Sequence, residues 1–421
     1  MKITFLIHNV YGVGGTIRTT LNLAAALVDR HRVEIVSMHR HRETPRFEVD
    51  PRITLTPLVD LRPKSSDARL PQLAEPAVVF PAEDSRHHQY SRLHDLRIAD
   101  HLARTDADVI IGTRPGINVY LARHAPRSAV RIAQEHLTHD AHRKKLRTVL
   151  ARHYRELDAV ITTTKADAEV YRARMPMAGV HIAAIPNSVP APSVPPSDGS
   201  APVIAAAGRL IRSKRFDLLI DAFADIVVRH PDWQLKVYGD GTQKAALQQK
   251  IEDLGLTGRA HMMGIRTPIE PAFAAASLVA VASEAESFGM TVIEAMRCGV
   301  PVVSTNCPLG PGEIISDGVD GRLVPVGDRD ALAQALLDLV ENPDQRRRMG
   351  RAALVSSAVY DPAEVAGTYE ALFRGLRATR ALRRRARRHE ARLRVFRAAL
   401  RRLKALLSAR ARRTGRTPTP Q

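Results

Sequence analysis

The chain has 421 residues, enough for two domains with separate cores, and its apolar fraction of 44% is ordinary for a folded protein. Its formal charge is +19, but residues 380–416 hold fifteen arginines, one lysine and one glutamate, so +15 sits in the last tenth of the chain and only +4 in the rest. This excludes a uniformly basic body in favour of a basic tail; no run of about 18 apolar residues predicts a membrane-spanning helix, and two cysteines without metal-ligand spacing, Cys298 and Cys307, point to a reducing, cytoplasmic compartment.

The first ten residues lack the long apolar region and cleavage site of a signal peptide and predict a strand over 2–9. A glycine loop, Tyr11-Gly-Val-Gly-Gly-Thr-Ile-Arg18, leads into a helix over about 19–30. Glycines between a strand and a helix let a ligand approach the backbone. Their spacing does not fit the dinucleotide fingerprint G-x-G-x-x-G, because the third glycine falls early. A second strand is expected over 33–38. From about 40 to 90 the pattern weakens, leaving either ordered loops or a disordered insertion. Asp106-Ala-Asp108 has the form of a metal-binding D-x-D, but it precedes a buried strand and no second ligand cluster accompanies it, so no metal is expected. The strand over 130–136 ends in polar residues at the edge where open α/β sheets bind ligands. His136 there is either a structural histidine or a group that positions a substrate hydroxyl; His139 and His142 are weaker candidates. Two more strands, beginning at Leu157 and Val180, close the first half.

Residues 189–202 are rich in Pro and Ser, without hydrophobic period, and read as an interdomain linker. The second half restarts with a strand from Val203, a Gly208-Arg209 loop, and a helix with Phe216, Leu219, Ile220 and Phe223 on one face. Arg209 and Lys214 flank that loop. Two cations at a strand's C-terminal end suit a diphosphate, although taken alone such residues are surface charges more often than not. Strands follow over 234–241 and 260–265. The stretch Ser283-Glu-Ala-Glu-Ser-Phe-Gly-Met-Thr-Val-Ile-Glu-Ala-Met-Arg-Cys-Gly-Val-Pro-Val-Val303 predicts a loop, a helix and a strand. Glu286 stands in the loop and Glu294 in the helix. The helix start offers backbone donors to an anion, with a carboxylate on either side to accept hydroxyl hydrogens.

Glu-Ser-Phe-Gly289, Glu-Ala-Met296 and Gly-Val-Pro-Val-Val303 together resemble the E-x7-E signature of retaining glycosyltransferases of family 4 (group 1), which have the GT-B fold. The resemblance is strong from Val203 to about Gly327, weaker over residues 1–187 and absent after about 377. It implies an α/β architecture of two Rossmann-like domains facing across a cleft, with a basic helical tail. The expected divisions are an acceptor domain over 1–188, the linker 189–202, a nucleotide-sugar domain over 203–361, a helix over 362–378 crossing back to the first domain, and the tail 379–421. It further implies that Glu294 holds the ribose, Arg209 and Lys214 hold the diphosphate with Gly208 beside them, and Glu286 holds donor-sugar hydroxyls. Backbone groups of Ser287, Phe288, Gly289, Met290 and Thr291 meet sugar and phosphate, and Ile265 and Arg266 meet the base. Gly14 and Gly15 lie near the donor phosphate and the acceptor, and His136 is the strand-end histidine of the family. Arg215 departs from the family, which usually has Gly there.

The implied reaction moves a sugar from a nucleoside diphosphate sugar, UDP- or GDP-linked, to a glycan, lipid-linked or other hydroxyl acceptor, without a metal or other cofactor. A GT-B phosphorylase is the near alternative. A nucleic-acid-binding protein acting through the tail is the distant one, and it lacks any recognition motif. In the tail, Leu382, Ala386, His389, Leu393, Phe396, Leu400, Leu403 and Leu407 form a narrow apolar stripe on an arginine-rich helix. It suits an anionic membrane surface on the cytoplasmic side, with a coiled-coil partner as the other reading.

Overall fold

The computed structural model describes residues 1–413. Two parallel sheets organise it. The first contains β1 (Lys2–Ile7), β2 (Arg32–Arg40), β3 (Thr54–Asp60), β4 (Val109–Gly112), β5 (Val130–Glu135), β6 (Ala159–Thr162) and β7 (His181–Ala184), in the order β3-β2-β1-β4-β5-β6-β7. The second contains β8 (Val203–Ala207), β9 (Gln234–Tyr238), β10 (Ala260–Gly264), β11 (Leu278–Val281), β12 (Val302–Thr305) and β13 (Gly321–Val324), in the order β10-β9-β8-β11-β12-β13. The central strands are short apolar runs because helices cover both faces of each sheet. Thus Ile3, Phe5 and Ile7 of β1 pack into one core while Leu6 packs into the core on the opposite face. In each sheet the winding reverses once, between β1 and β4 and between β8 and β11. The crevice at such a reversal, outside the strands' C-terminal ends, is where this architecture accepts ligands. The glycine loop leaves β1 at the first reversal. The Gly208-Arg209 and Ser283–Gly289 loops leave β8 and β11 at the second.

The helix Pro362–Ala378 buries Val365, Ala366, Tyr369, Phe373 and Leu376 in the core of the first sheet, so the chain crosses back there to the domain it began in. Tyr369 accepts a hydrogen bond from Gln134 of β5 at 2.8 Å, both side chains being buried. Residues 189–202 are tied to the second domain. Val189 donates to the Tyr360 carbonyl, Ser197 donates to the Cys298 carbonyl through its N–H and to the Ala276 carbonyl through its hydroxyl, and a Cβ on Gly299 would stand 3.1 Å from Pro196.

Two features were not legible. β3 is an edge strand that carries Pro57, whose missing N–H is tolerable only at an edge, and its apolar alternation is weak because one side faces no neighbour. The weakly patterned stretch from 40 to 90 is not a disordered insertion. Phe80 and Tyr90 are buried and stacked with centroids 3.6 Å apart, against Gly116, where any Cβ would strike the Phe80 ring. The tail begins as the helix Arg380–Arg413; its expected extent over 414–421, and the side chain of Leu403, lie outside the described residues.

Candidate active site

On the second domain, the cations and carboxylates converge. Lys214 Nζ lies 2.5 Å from Glu286 Oε1, and Ser283 Oγ donates to the same oxygen at 2.7 Å. A residue of the β8 loop and two of the β11 loop therefore share one contact at the winding reversal. Arg209 is exposed and has no ion-pair or side-chain hydrogen-bond partner among the described residues. Arg215 sits in the left-handed region at φ 49°, ψ 41°, a conformation in which a Cβ is strained and glycine is not. This accounts for the family's usual Gly. The arginine is held by ion pairs to Asp217 at 3.1 Å and Glu284 at 3.0 Å. The loop is braced from beneath by Gly239, where an added Cβ would stand 1.9 Å from the Gly208 carbonyl.

Gly289, at φ 108°, turns the chain into the helix Met290–Arg297, and no side chain caps that helix's N-terminus. Ser287 and Thr291 are partly exposed at this turn, while Phe288 is buried against Tyr360 and offers only its backbone. Gly310 packs so closely that a Cβ there would lie 2.1 Å from the Phe288 carbonyl. Ile265 and Arg266, beyond β10, are exposed.

Glu294 lies one turn into the helix and is 7% exposed. Its carboxylate is engaged across the cleft: Arg18, from the helix Gly15–Val28 of the first domain, donates to Glu294 Oε1 at 2.8 Å and to Glu270 Oε1 at 2.9 Å. Burial pushes the Glu294 pKa up to about 7, against the pull of Arg18 and with the help of the Glu270 charge. Arg18 and Glu270 were missed in the sequence; an arginine closing a glycine loop was the available signal. A second bridge also escaped notice. The Glu313 carboxylate accepts from the backbone N–H groups of Lys165 and Ala166, each at 2.8 Å, and so caps a first-domain helix, Lys165–Arg174, from the second domain. Thr163 adds a bond to the Ser287 carbonyl at 2.9 Å.

On the first domain, Gly14 and Gly15 are exposed with open space where a Cβ would be. The three candidate histidines separate. His139 packs edge-on against Tyr171, donates its N–H to Asp167 and contacts Asp140 at 2.9 Å through its ring. His142 lies 3.3 Å from Glu135, whose other oxygen accepts from Asn118 and Tyr154. Burial opposes a charge on His142, but the Glu135 hydrogen bond and charge outweigh it and raise its pKa. His136, just beyond β5, has a buried Nε2 with no protein partner, and burial lowers its pKa to about 4, which keeps it neutral. Asp106 and Asp108 are taken up locally: Asp106 pairs with the Lys2 ammonium, and Asp108 accepts from the Lys2 N–H and pairs with Arg377. Among the described residues, no group of three or more His, Cys, Asp or Glu is placed to hold a metal ion.

The family model described as Glycosyl transferases group 1 matches residues 191–355, and that described as Glycosyltransferase Family 4 matches residues 13–193. The chain belongs to the family 4, group 1 glycosyltransferases. This family 4 chain is 31% identical over 389 residues to an exopolysaccharide phosphotransferase of Streptomyces coelicolor, a match covering 89% of the chain and 40% of the relative. It spans less than half the length of the first curated relatives it matches. Among solved structures, the sucrose-phosphate synthase of Thermosynechococcus elongatus aligns with a TM-score of 0.72 at 19% identity, covering 90% of this chain and 100% of that one. HepE of Anabaena, in complex with UDP, aligns with a TM-score of 0.67 at 21% identity, covering 89% and 100%. The fold of this family 4 member is GT-B.

Proposed function

We propose that the chain is a retaining glycosyltransferase that moves a sugar from a nucleoside diphosphate sugar to a hydroxyl of a glycan or lipid-linked acceptor. The observation that carries this reading is the Lys214–Glu286–Ser283 contact beside the uncapped start of the Met290–Arg297 helix. A cation, a carboxylate and free helix N–H groups at one spot match the three needs of the donor. Arg209 and Lys214 neutralise the leaving diphosphate, where charge grows in the transition state and where most of the rate enhancement arises. Glu286 accepts from sugar hydroxyls, and Glu294 from the ribose once Arg18 yields. Neutral His136 offers its unpartnered Nε2 to a substrate hydroxyl. The cations stand in for a metal. UDP and GDP are the two donors to try first; UDP is supported by its presence in the HepE complex.

On this reading the exposed apolar residues Leu382, Phe396, Leu400 and Leu407, set among arginines, rest on the anionic inner face of the cell membrane and bring a lipid-linked acceptor within reach. The test is a donor screen: hydrolysis and transfer across several UDP- and GDP-sugars, with the product anomer read by NMR. Turnover with one donor and retained configuration is expected. Turnover of a sugar 1-phosphate or release by inorganic phosphate, with no nucleotide-sugar turnover, would overturn it in favour of a phosphorylase. Sedimentation with anionic and neutral liposomes, with and without residues 379–421, tests the tail.

A further inference from the structure

A cavity of about 430 Å³ lies at the opposite end of the first domain from the cleft, where the tail helix Arg380–Arg413 meets the N-terminal edge of the first sheet. Arg131 lies near the start of β5 and His136 just beyond its end, so the cavity and the cleft are separated by roughly 16 Å of strand. Eight arginines and three carboxylates line it. The deepest carboxylate is already satisfied: Asp158 Oδ1 accepts from Arg383 at 2.7 Å and from Arg387 at 2.8 Å, and its Oδ2 accepts from the Arg131 N–H at 3.0 Å. Glu156 faces Arg127 at 3.4 Å, and Glu390 faces Arg397 at 3.6 Å.

The remaining charge is compensated only at Arg131, and there by a long ion pair to Asp158. Arg155, Arg384, Arg388 and Arg394 line the cavity and form no ion pair among the described residues. Arg131 is 5% exposed and its side chain donates no hydrogen bond; its Nε has no partner, with the nearest Asp158 oxygen 3.5 Å away. A buried guanidinium without a hydrogen bond is costly, and planar guanidinium forks match phosphate oxygens two at a time. Burial lowers the pKa of Arg131 and of Arg380 against the opposing pull of Asp158, and neighbouring arginines add to the fall, Arg387 at Arg131 and Arg384, Arg377 and Arg383 at Arg380. The volume exceeds what a single phosphate fills and lies within the range of ordinary small-molecule sites.

We propose that this cavity is a binding site for an anion bearing two or more phosphates, held between the tail helix and the first domain and separate from the sugar-transfer site. The anion would supply the acceptors that Arg131, Arg155, Arg388 and Arg394 lack, and would fasten the root of the tail to the domain. The chemistry is shared by soluble oligophosphates and by lipid phosphate headgroups.

The experiment uses the full chain and has two arms. In the first, inorganic tripolyphosphate is titrated by calorimetry. Affinity should fall roughly tenfold or more in Arg155→Gln/Arg388→Gln, since each lost charged contact is substantial. It should be retained in Arg401→Gln/Arg402→Gln, which removes the same charge from the exposed helix beyond the cavity. In the second arm, phosphatidylcholine vesicles with and without phosphatidic acid are sedimented with the same variants. Loss of vesicle binding in the cavity pair, with competition by tripolyphosphate, identifies a lipid headgroup as the source. Vesicle binding indifferent to that pair, beside cavity-dependent tripolyphosphate binding, identifies a soluble ligand. Equal weakening by the cavity and distal pairs, or no cavity-dependent binding in either arm, overturns the proposal. The single variant Arg388→Gln, on an exposed helix turn, repeats the test if the double variant does not fold.

Discussion

Lys214 and Glu286 form one unit, since each is the other's nearest charged partner. Lys214→Ala is expected to lower turnover by roughly 10²–10³, the scale of a lost donor to a growing negative charge. Glu286→Gln should impair the sugar-bearing donor while sparing free nucleotide in calorimetry. Because the two touch, the double variant should be little worse than the poorer single one, and additive losses would separate their roles. Glu294 carries a different prediction. Its folded pKa of about 7 stands above the unfolded value of 4.5, so the folded chain holds a proton that the unfolded chain has released between those limits. Stability should fall as pH rises from 4.5 to 7, by at most about 1.4 kcal/mol per unit, and level off beyond. Thermal melts of Glu294→Gln should lose that slope; an unchanged slope assigns it elsewhere. These residue identities were legible because glycines, prolines and two glutamates fix a local frame around them. The distinction among His136, His139 and His142 was not. It depends on Asp140, Asp167 and Glu135 filling the surroundings of two of them, which no spacing along the chain records.

At the level of elements, the strand–loop–helix units were readable because buried parallel strands are short uninterrupted apolar runs ended by Gly or Pro. β3 was hidden by Pro57 and by its place at an edge. The loop after β8 shows how an element constrains a residue. Arg215→Ala and Arg215→Gly both lose the ion pairs to Asp217 and Glu284, yet only alanine keeps a Cβ in the left-handed region. The alanine variant should be less stable than the glycine variant by about 1 kcal/mol in denaturant melts. Equal stabilities would mean that the backbone relaxes out of that region once the arginine is gone. The helix Met290–Arg297 depends similarly on Gly310. A Cβ there would meet the Phe288 carbonyl, so Gly310→Ala should move the loop that carries Glu286 and Ser287 and reduce donor affinity more than it reduces stability.

The whole molecule is held across its cleft by few contacts, and they differ in kind. Arg18 joins the domains through two carboxylates, one of which is proposed to be needed by the donor, so donor binding and the Arg18 contact compete for Glu294. None of this was visible in the sequence, where Arg18 and Glu294 stand far apart and Glu313 lies in the other half of the chain from the amides it covers. The Glu313 bridge has a further consequence. It covers two backbone amides of one domain with a side chain of the other, while the third amide of that helix, Asp167, is covered by its own neighbour Thr164. The hydrogen bonds of the Lys165 and Ala166 amides therefore break when the halves part, and their deuterium uptake becomes a clock for that parting. Uptake at these two positions should slow when a donor holds the halves together and quicken in Glu313→Gln, while Asp167 keeps its own pace. A molecule with no attached label would in this way report how often it opens.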